Sequence, residues 1–426
     1  MQFLEYPEQL EEIESYLERR SLKFQDDLNR HVSGIIDRVQ SEGDRALKQL
    51  TKKYDDVELD RLQVPGEMLQ EISIDSELED ALVNARDRLH NYYSCQLEKS
   101  WIHPHLSGEV GEKKTALDSA GIYIPGGMAA YPSSVLMTAV PASVAGVRRI
   151  AAVTPPGEDG MINPVTARAL NLCGVEEVYS LGGAQAIAAL ALGTESVSAV
   201  DKIVGPGNRY VTMAKKLVYG LVDIDMLAGP SEVMIIADGG ADLRFLVSDL
   251  LAQAEHDPGA KCVVVSTSDA LAAGLEDELE EQLQGLSTAK RAREALEECG
   301  LFIEVESLEQ TVELANRFAP EHLEILTDCP GELARDIKNA GSIFLGSYSP
   351  EAAGDYMAGP NHVLPTAGTA RFFSPLSVRD FLKSSGRIQL EENELREMGP
   401  DIVRIARAES LPAHARSIEL RLEENQ

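Results

Sequence analysis

The sequence predicts an α/β protein with mostly parallel sheets and small helical extensions at its N- and C-termini. Three observations carry this. From Arg149 onward, short β-branched runs alternate with helical stretches at the spacing of βα units. From Gly121, glycines and small residues become dense, whereas the first hundred or so residues place apolar side chains three and four apart among charges. Past Leu382 the chain turns charged and helical again. At 426 residues it exceeds one ordinary core, so two or more domains are expected.

Taken in order, Leu10 to Arg20, Leu28 to Tyr54 and Ser76 to Glu98 have helical periodicity. Arg149 to Thr154 is a strand and Pro164 to Leu172 a helix. Glu177 to Leu181 is a strand, followed by a small-residue helix around Gln185 to Ala191. Lys202 to Val204 is a strand and Arg209 to Tyr219 a helix; Val233 to Ala237 is a strand and Leu243 to Glu255 a helix. Cys262 to Ser266 and Phe302 to Val305 are strands, and Leu308 to Phe318 a helix. Leu323 to Leu326 is a strand, Leu333 to Ala340 a helix and Ser342 to Leu345 a strand. The tail beyond Leu382 is a helical appendage that packs on something else.

Composition excludes several classes. Seventy carboxylates face 39 Lys and Arg, a net charge of -31 that repels nucleic acid and anionic membranes. That excess is either a solubilising coat or an adaptation to high salt, where screening removes self-repulsion. There is no charge-free apolar run of about 18 residues to cross a membrane, and Met1 to Arg30 lacks the pattern of a secretory signal. The five cysteines are scattered and never form a CxxC pair. They fit a reducing cytoplasm and no cysteine-based zinc site.

Among the eight histidines (31, 90, 103, 105, 256, 322, 362 and 414) the last four draw attention. Gln253 and His256 lie three apart at a helix C-terminus, where an amide oxygen and an imidazole nitrogen could share one metal. His256 could equally interact with the last helix carbonyls alone. Glu321 and His322 fall where Pro320 ends a helix and an apolar strand begins, a position from which an acid–base pair projects into a cleft. Asp355 and His362 sit in a breaker-rich loop able to supply zinc ligands or to be plain surface. Glu409 and His414 read locally as an ordinary polar tail. Four glycine turns, Tyr123-Ile124-Pro125-Gly126-Gly127, Gly182-Gly183-Ala184-Gln185, Gly205-Pro206-Gly207-Asn208 and Ala228-Gly229-Pro230-Ser231-Glu232, point to a ligand edge at the carboxyl ends of a sheet. No GxGxxG occurs, so a dinucleotide pyrophosphate would need a different loop.

The order and spacing of these turns, with Gln253-Ala254-Glu255-His256, Ala319-Pro320-Glu321-His322-Leu323-Glu324 and Gly354-Asp355-Tyr356 followed by Asn361-His362-Val363-Leu364-Pro365, resemble the histidinol dehydrogenase family. The resemblance runs from about Tyr123 to Leu382 and resumes at Glu409 to His414. It implies oxidation of L-histidinol to L-histidine through L-histidinal, the last steps of histidine biosynthesis, with two NAD reduced in turn. It implies one zinc ion per subunit on Gln253, His256, Asp355 and His414, and a catalytic pair Glu321 and His322. Substrate contacts would be Ser231, His362 and Glu409, joined by the metal ligands and the catalytic pair; NAD contacts would be Tyr123, Gln185 and Asn208. The family's homodimer would take Glu409 and His414 of each site from the crossing tail of the other subunit.

The fold implied is two related, incomplete Rossmann-like domains interleaved in sequence. Residues 20–122 with 232–314 would form one, and 123–231 with 315–381 the NAD-binding other. Residues 1–19 would be a helical extension and 382–426 the dimer-crossing tail. A relative of the same fold acting on another alcohol, such as a sulfonated diol, would keep the zinc and base residues; Ser231, His362 and Glu409 favour histidinol. A non-catalytic zinc-binding protein would have no use for an intact Glu321–His322 pair.

Overall fold

The computed structural model describes residues 1–20, 26–103, 108–126 and 130–423. His105 and Gly127, both named above, lie outside them. The chain divides into two compact units, Met1–Gln96 with Leu117–Phe381, and Leu97–Ala116 with Leu382–Gln426.

The first unit holds two parallel sheets. In one, five strands lie side by side in the order Glu177–Ser180, Arg149–Thr154, Ser119–Tyr123, Lys202–Val204 and Asp223–Ile224. In chain order this is third, second, first, fourth, fifth, the strand order of a Rossmann sheet. The other repeats it: Gly300–Val305, Lys261–Ser266, Glu232–Ala237, His322–Leu326 and Ser342–Leu345, with Gln2–Tyr6 added outside Gly300–Val305. Both faces are covered, so the central strands are nearly continuous apolar runs. Val233, Met234, Ile235, Ile236 and Ala237 are all fully buried. The small-residue helix Gly183–Leu192 packs against Val211, Ala214 and the helix Asp26–Glu42 in a core shared with Tyr123 and Tyr179. Two incomplete Rossmann-like sheets are thus the framework, as the resemblance implied.

Several expectations need correction. Gln2–Tyr6 is an edge strand paired with Gly300–Val305, not part of a helical extension. Its period-two burial of Leu4 and Tyr6 is too short to stand out beside the helix Leu10–Arg20. The interleaving also differs. His322–Leu326 and Ser342–Leu345 pair onto Glu232–Ala237, so this part of 315–381 joins the sheet of 232–314. Helices Asp26–Glu42 and Asp44–Asp55 join the core of the five-stranded sheet. Strand partnership is a long-range choice that local periodicity does not encode. The helix expected at Leu333 to Ala340 is only Pro330–Leu333 followed by turns. Helices Pro132–Ala145, Asp269–Leu283 and Ala289–Cys299 fill stretches left unassigned above.

The second unit is small. Leu382–Gln389 is a strand rather than a helix, antiparallel to Glu109–Ala116, which also pairs with Trp101–Ile102. Helices Glu392–Ala408 and Pro412–Glu423 pack on each other, with Gly399 leaving room for Leu422 and Ile418. No helix among the described residues is long and apolar enough to cross a membrane.

Candidate active site

Glu321 and His322 are held by one backbone unit of the neighbouring strand. In the six-stranded sheet His322 pairs with Val233. The Glu321 carboxylate accepts the Glu232 backbone N–H at 2.8 Å, and His322 Nδ1 lies 3.1 Å from the Glu232 carbonyl oxygen. A backbone carbonyl only accepts, so Nδ1 carries the proton and Nε2 is left as the free nitrogen. That Nε2 is buried without a hydrogen-bond partner, 3.7 Å from Asp355 Oδ1. Local sequence explains the pose. Pro320 follows a helix capped by Ala319 at φ 50°, and Gly341 leaves room for the Glu321 carbonyl, which a Cβ would approach to 2.5 Å.

Two helices bring the other groups. Leu243–Ala254 ends with buried Gln253, and its C-terminal turn carries exposed His256, whose N–H donates to the Gln253 carbonyl at 3.2 Å. The short helix Glu351–Tyr356 carries Glu351 and, one turn on, Asp355. It lies close to the strand Ser342–Leu345 because residue 354 is glycine; a Cβ there would sit 2.6 Å from Phe344 Cε1. Asp355 is therefore helical, not in the loop expected. The loop follows, and Asn361 anchors it through Nδ2 to Tyr93 Oη at 2.9 Å and the Met137 carbonyl at 2.7 Å. His362 then stands 3.5 Å from Ser134 Oγ, its ring also bonded to the Asp355 backbone. Ser231 sits just before the strand Glu232–Ala237, its carbonyl accepting from Lys261 N–H at 2.9 Å.

The donor atoms of His256, Glu351 and Asp355 lie within 4.8 Å of one another. The Gln253 amide is assigned with its nitrogen toward Glu351, because only that orientation gives donors to the two carboxylate oxygens, at 2.7 and 3.0 Å, and it turns the amide oxygen the other way. Nitrogen and oxygen donors in this number suit a borderline divalent cation such as zinc. Electrostatics agree. Burial pushes Glu321 and Glu351 up to about 8, with His322 pulling the other way. Burial opposes a charged His322, yet Glu351, Glu321 and Asp355 outweigh it and hold its pKa well above the ordinary value; a cation bound among these carboxylates would offset them and favour the neutral ring with Nε2 free. Burial also raises Glu324 and Asp249, which share a hydrogen bond deeper in. Burial works against ionised Asp355, but His322, His362 and His256 keep it below its usual range. So many buried carboxylates around so few cations make a site that a bound cation relieves.

Sequence reasoning missed Glu351, Glu324 and Asp249. Their signals were faint: a Glu four residues before Asp355, a Glu inside the apolar strand His322–Leu326, and an Asp within a mostly apolar helix. Glu409 and His414 belong to the other unit. Both are exposed, in the second unit, at the corner between Glu392–Ala408 and Pro412–Glu423.

Three of the four glycine turns lie where predicted, at the carboxyl edge of the five-stranded sheet. Tyr123 ends the central strand, and its hydroxyl accepts the Gly183 N–H at 3.1 Å. Gly205, at φ 117°, follows the adjacent strand so closely that a Cβ would meet the Tyr123 carbonyl oxygen at 2.2 Å. Gln185 is buried in the first turn of its helix. Asn208 caps the next helix, its Oδ1 accepting from Tyr210 and Val211 N–H at 3.0 and 3.2 Å. The fourth turn differs. Residues 225–231 leave the carboxyl edge of the five-stranded sheet and enter the amino edge of the six-stranded one, where Glu232, Glu321 and His322 sit.

A family model described as Histidinol dehydrogenase matches residues 18–422. The chain belongs to the histidinol dehydrogenase family. It is 50% identical to a histidinol dehydrogenase of Clostridium acetobutylicum over 408 residues, 95% of each chain. To that of Bacillus subtilis it is 49% identical over 393 residues, 92% of each. A solved histidinol dehydrogenase structure from Elizabethkingia anophelis superposes with a TM-score of 0.95 at 36% identity, covering 99% of this chain and 98% of the other. The histidinol dehydrogenase likeness therefore extends over the N-terminal hundred residues as well, where the motifs gave little.

Proposed function

We propose that this chain oxidises L-histidinol to L-histidine through L-histidinal, reducing two NAD in turn, as a histidine-biosynthesis enzyme. The observation that carries the reading is the Glu321–His322 pair pinned to Glu232, with His322 Nε2 free and directed toward the side where Asp355 lies. In the first oxidation Nε2 takes the hydroxyl proton as hydride leaves the carbinol carbon. Water then adds to the aldehyde, with Glu321 accepting its proton; a carboxyl raised to about 8 has the proton affinity that role needs near neutrality. In the second, Nε2 takes the proton of the hydrate as the second hydride leaves.

Gln253, His256 and Asp355 would hold zinc, with Glu351 orienting Gln253. Bound there, zinc would orient the substrate's nitrogens and polarise its oxygen. His414 of the partner subunit would complete the shell, and the partner's Glu409 would join Ser231 and His362 on the substrate. What supports a shared site in a homodimer is the exposure of both residues on one corner of a small unit. The five-stranded sheet would bind NAD at Tyr123, Gln185 and Asn208, and the five free cysteines fit a reducing, cytoplasmic setting.

The test is stoichiometric. L-Histidinol should yield two NADH per molecule consumed, with activity lost on chelation and restored by zinc. Absence of NADH formation from L-histidinol by the zinc-loaded dimer would overturn the reading.

A further inference from the structure

We propose that Asp55 binds the adenosine ribose hydroxyls of the nicotinamide cofactor and makes this protein selective for NAD over NADP. The inference rests on the cofactor edge proposed above and adds a residue to it.

Asp55 is the last residue of the helix Asp44–Asp55, and that helix is fixed at both ends. At its start, Asp44 accepts from Thr194 Oγ1 at 2.6 Å and from Ser196 N–H at 3.2 Å, and its own N–H donates to Glu195 at 2.8 Å. Beyond its end, the chain runs antiparallel along the outermost strand of the five-stranded sheet. Ser180 N–H donates to the Leu62 carbonyl and Val64 N–H to the Val178 carbonyl, each at 2.8 Å. Followed backward from Leu62, the segment passes the carboxyl end of that strand, toward the Gly182-Gly183 turn. The helix that ends at Asp55 therefore leads toward the same turn whose Gly183 N–H the Tyr123 hydroxyl accepts.

Asp55 Oδ2 is enclosed and has no hydrogen-bond partner among the described residues. One turn earlier on the same helix face, Thr51 is fully buried with its hydroxyl also unpartnered. Buried polar atoms without partners are rare and call for a ligand or water. Asp55 lies near enough for its charge to act on the Tyr123 phenol, with no hydrogen bond joining the two among the described residues. Burial pushes Asp55 up to about 6, which an incoming hydroxyl donor would reverse.

The chemistry needed is that of a vicinal diol. In a Rossmann sheet, an acid at the end of the second strand takes the ribose hydroxyls and repels a 2′-phosphate. Here the second strand, Arg149–Thr154, is followed by Pro155, against which Gly126 and Gly182 pack; a Cβ on either would come within 2.9 Å of its ring. The acids that follow in that loop, Glu158 and Asp159, are exposed, and Asp159 already accepts the Met161 N–H at 2.9 Å. Asp55, arriving from a helix outside the sheet, supplies the missing carboxylate.

The test is direct binding without turnover, by fluorescence titration of the zinc-loaded dimer with NADH and NADPH. The wild type should bind NADH at least tenfold more tightly than NADPH. Asp55→Asn should weaken NADH about tenfold to a hundredfold and leave NADPH unchanged or improved. Asp55→Ser, which keeps a hydrogen-bonding group without charge, should gain NADPH affinity. Unchanged NADH affinity in Asp55→Asn, or an equal loss for both cofactors, would overturn the assignment while leaving the dehydrogenase reading intact. Failure of the wild type to bind either cofactor would overturn both. Thermal melts of each variant distinguish lost binding from lost folding.

Discussion

Lys215→Met tests how the cofactor edge is held together. Lys215 and Asp225 are both buried and form an ion pair. Between them they clasp Gly205: Lys215 Nζ donates to its carbonyl at 3.0 Å, and Asp225 accepts its N–H at 2.7 Å. Asp225 also accepts the Met226 N–H at 2.6 Å. Methionine fills the same volume but strands a buried carboxylate, at a cost of about 3–5 kcal/mol. Adding Asp225→Asn removes the stranded charge and keeps an oxygen for one of the two N–H groups. The double variant should therefore lose only about 1–2 kcal/mol, one or two neutral hydrogen bonds. The second change should thus restore about 2–3 kcal/mol to the single variant. Urea denaturation followed by circular dichroism measures this through shifted midpoints at unchanged slope. A single variant costing under about 1 kcal/mol, or a double variant no more stable than the single, would refute the clasp.

Other outcomes follow from the site. His322→Asn should lower kcat about 10²–10⁴-fold while zinc content, measured by atomic emission, stays at the wild-type level, because this residue is assigned to proton transfer. Glu351→Ala should weaken zinc binding about 10–100-fold in chelator competition, through release of Gln253, with secondary structure unchanged. Asp55 also sets a pH dependence in the cofactor-free protein. Its folded pKa, raised from 3.8 to about 6, means the folded state binds the proton more tightly. Its contribution to stability is therefore full below the unfolded value and lost as pH rises through about 6. Asp55→Asn should gain about 1 kcal/mol over wild type at pH 7.5, after discounting for partial solvent exposure, and nothing below pH 4. Paired melts at the two pH values check the difference.

Much of this was readable from residue order. The strands around Val233–Ala237 and the helix Leu308–Phe318 announce themselves by period and composition, because burial on both faces demands apolar runs. Gln253 and His256 were correctly placed at a helix end, and Glu321–His322 at a helix-to-strand turn. What escaped depends on contacts between distant segments. Glu324 and Glu351 read as solvent-facing charges until pairing puts them inside. The edge strand Gln2–Tyr6 exists because Gly300–Val305 offers it a partner some 300 residues away. Asp55 sits in a run of charges, Lys52 to Asp56, and nothing local distinguishes it from its neighbours. Glu409 and His414 could be noticed only through likeness to a family, since their surroundings in one chain are open water.

The linker from Asp225 to Ser231 joins opposite ends of two similar sheets. On the proposed reading, one twin would work at the head of its strands and the other at the tail. In the six-stranded twin the far end, where Ala237, Ser266 and Leu326 finish, carries none of the residues assigned to the reaction. The turns there are closed by their own bonds: Asp238 accepts the Gly240 N–H at 2.9 Å and the Asp328 N–H at 3.0 Å, which ties that rim together independently of the opposite one.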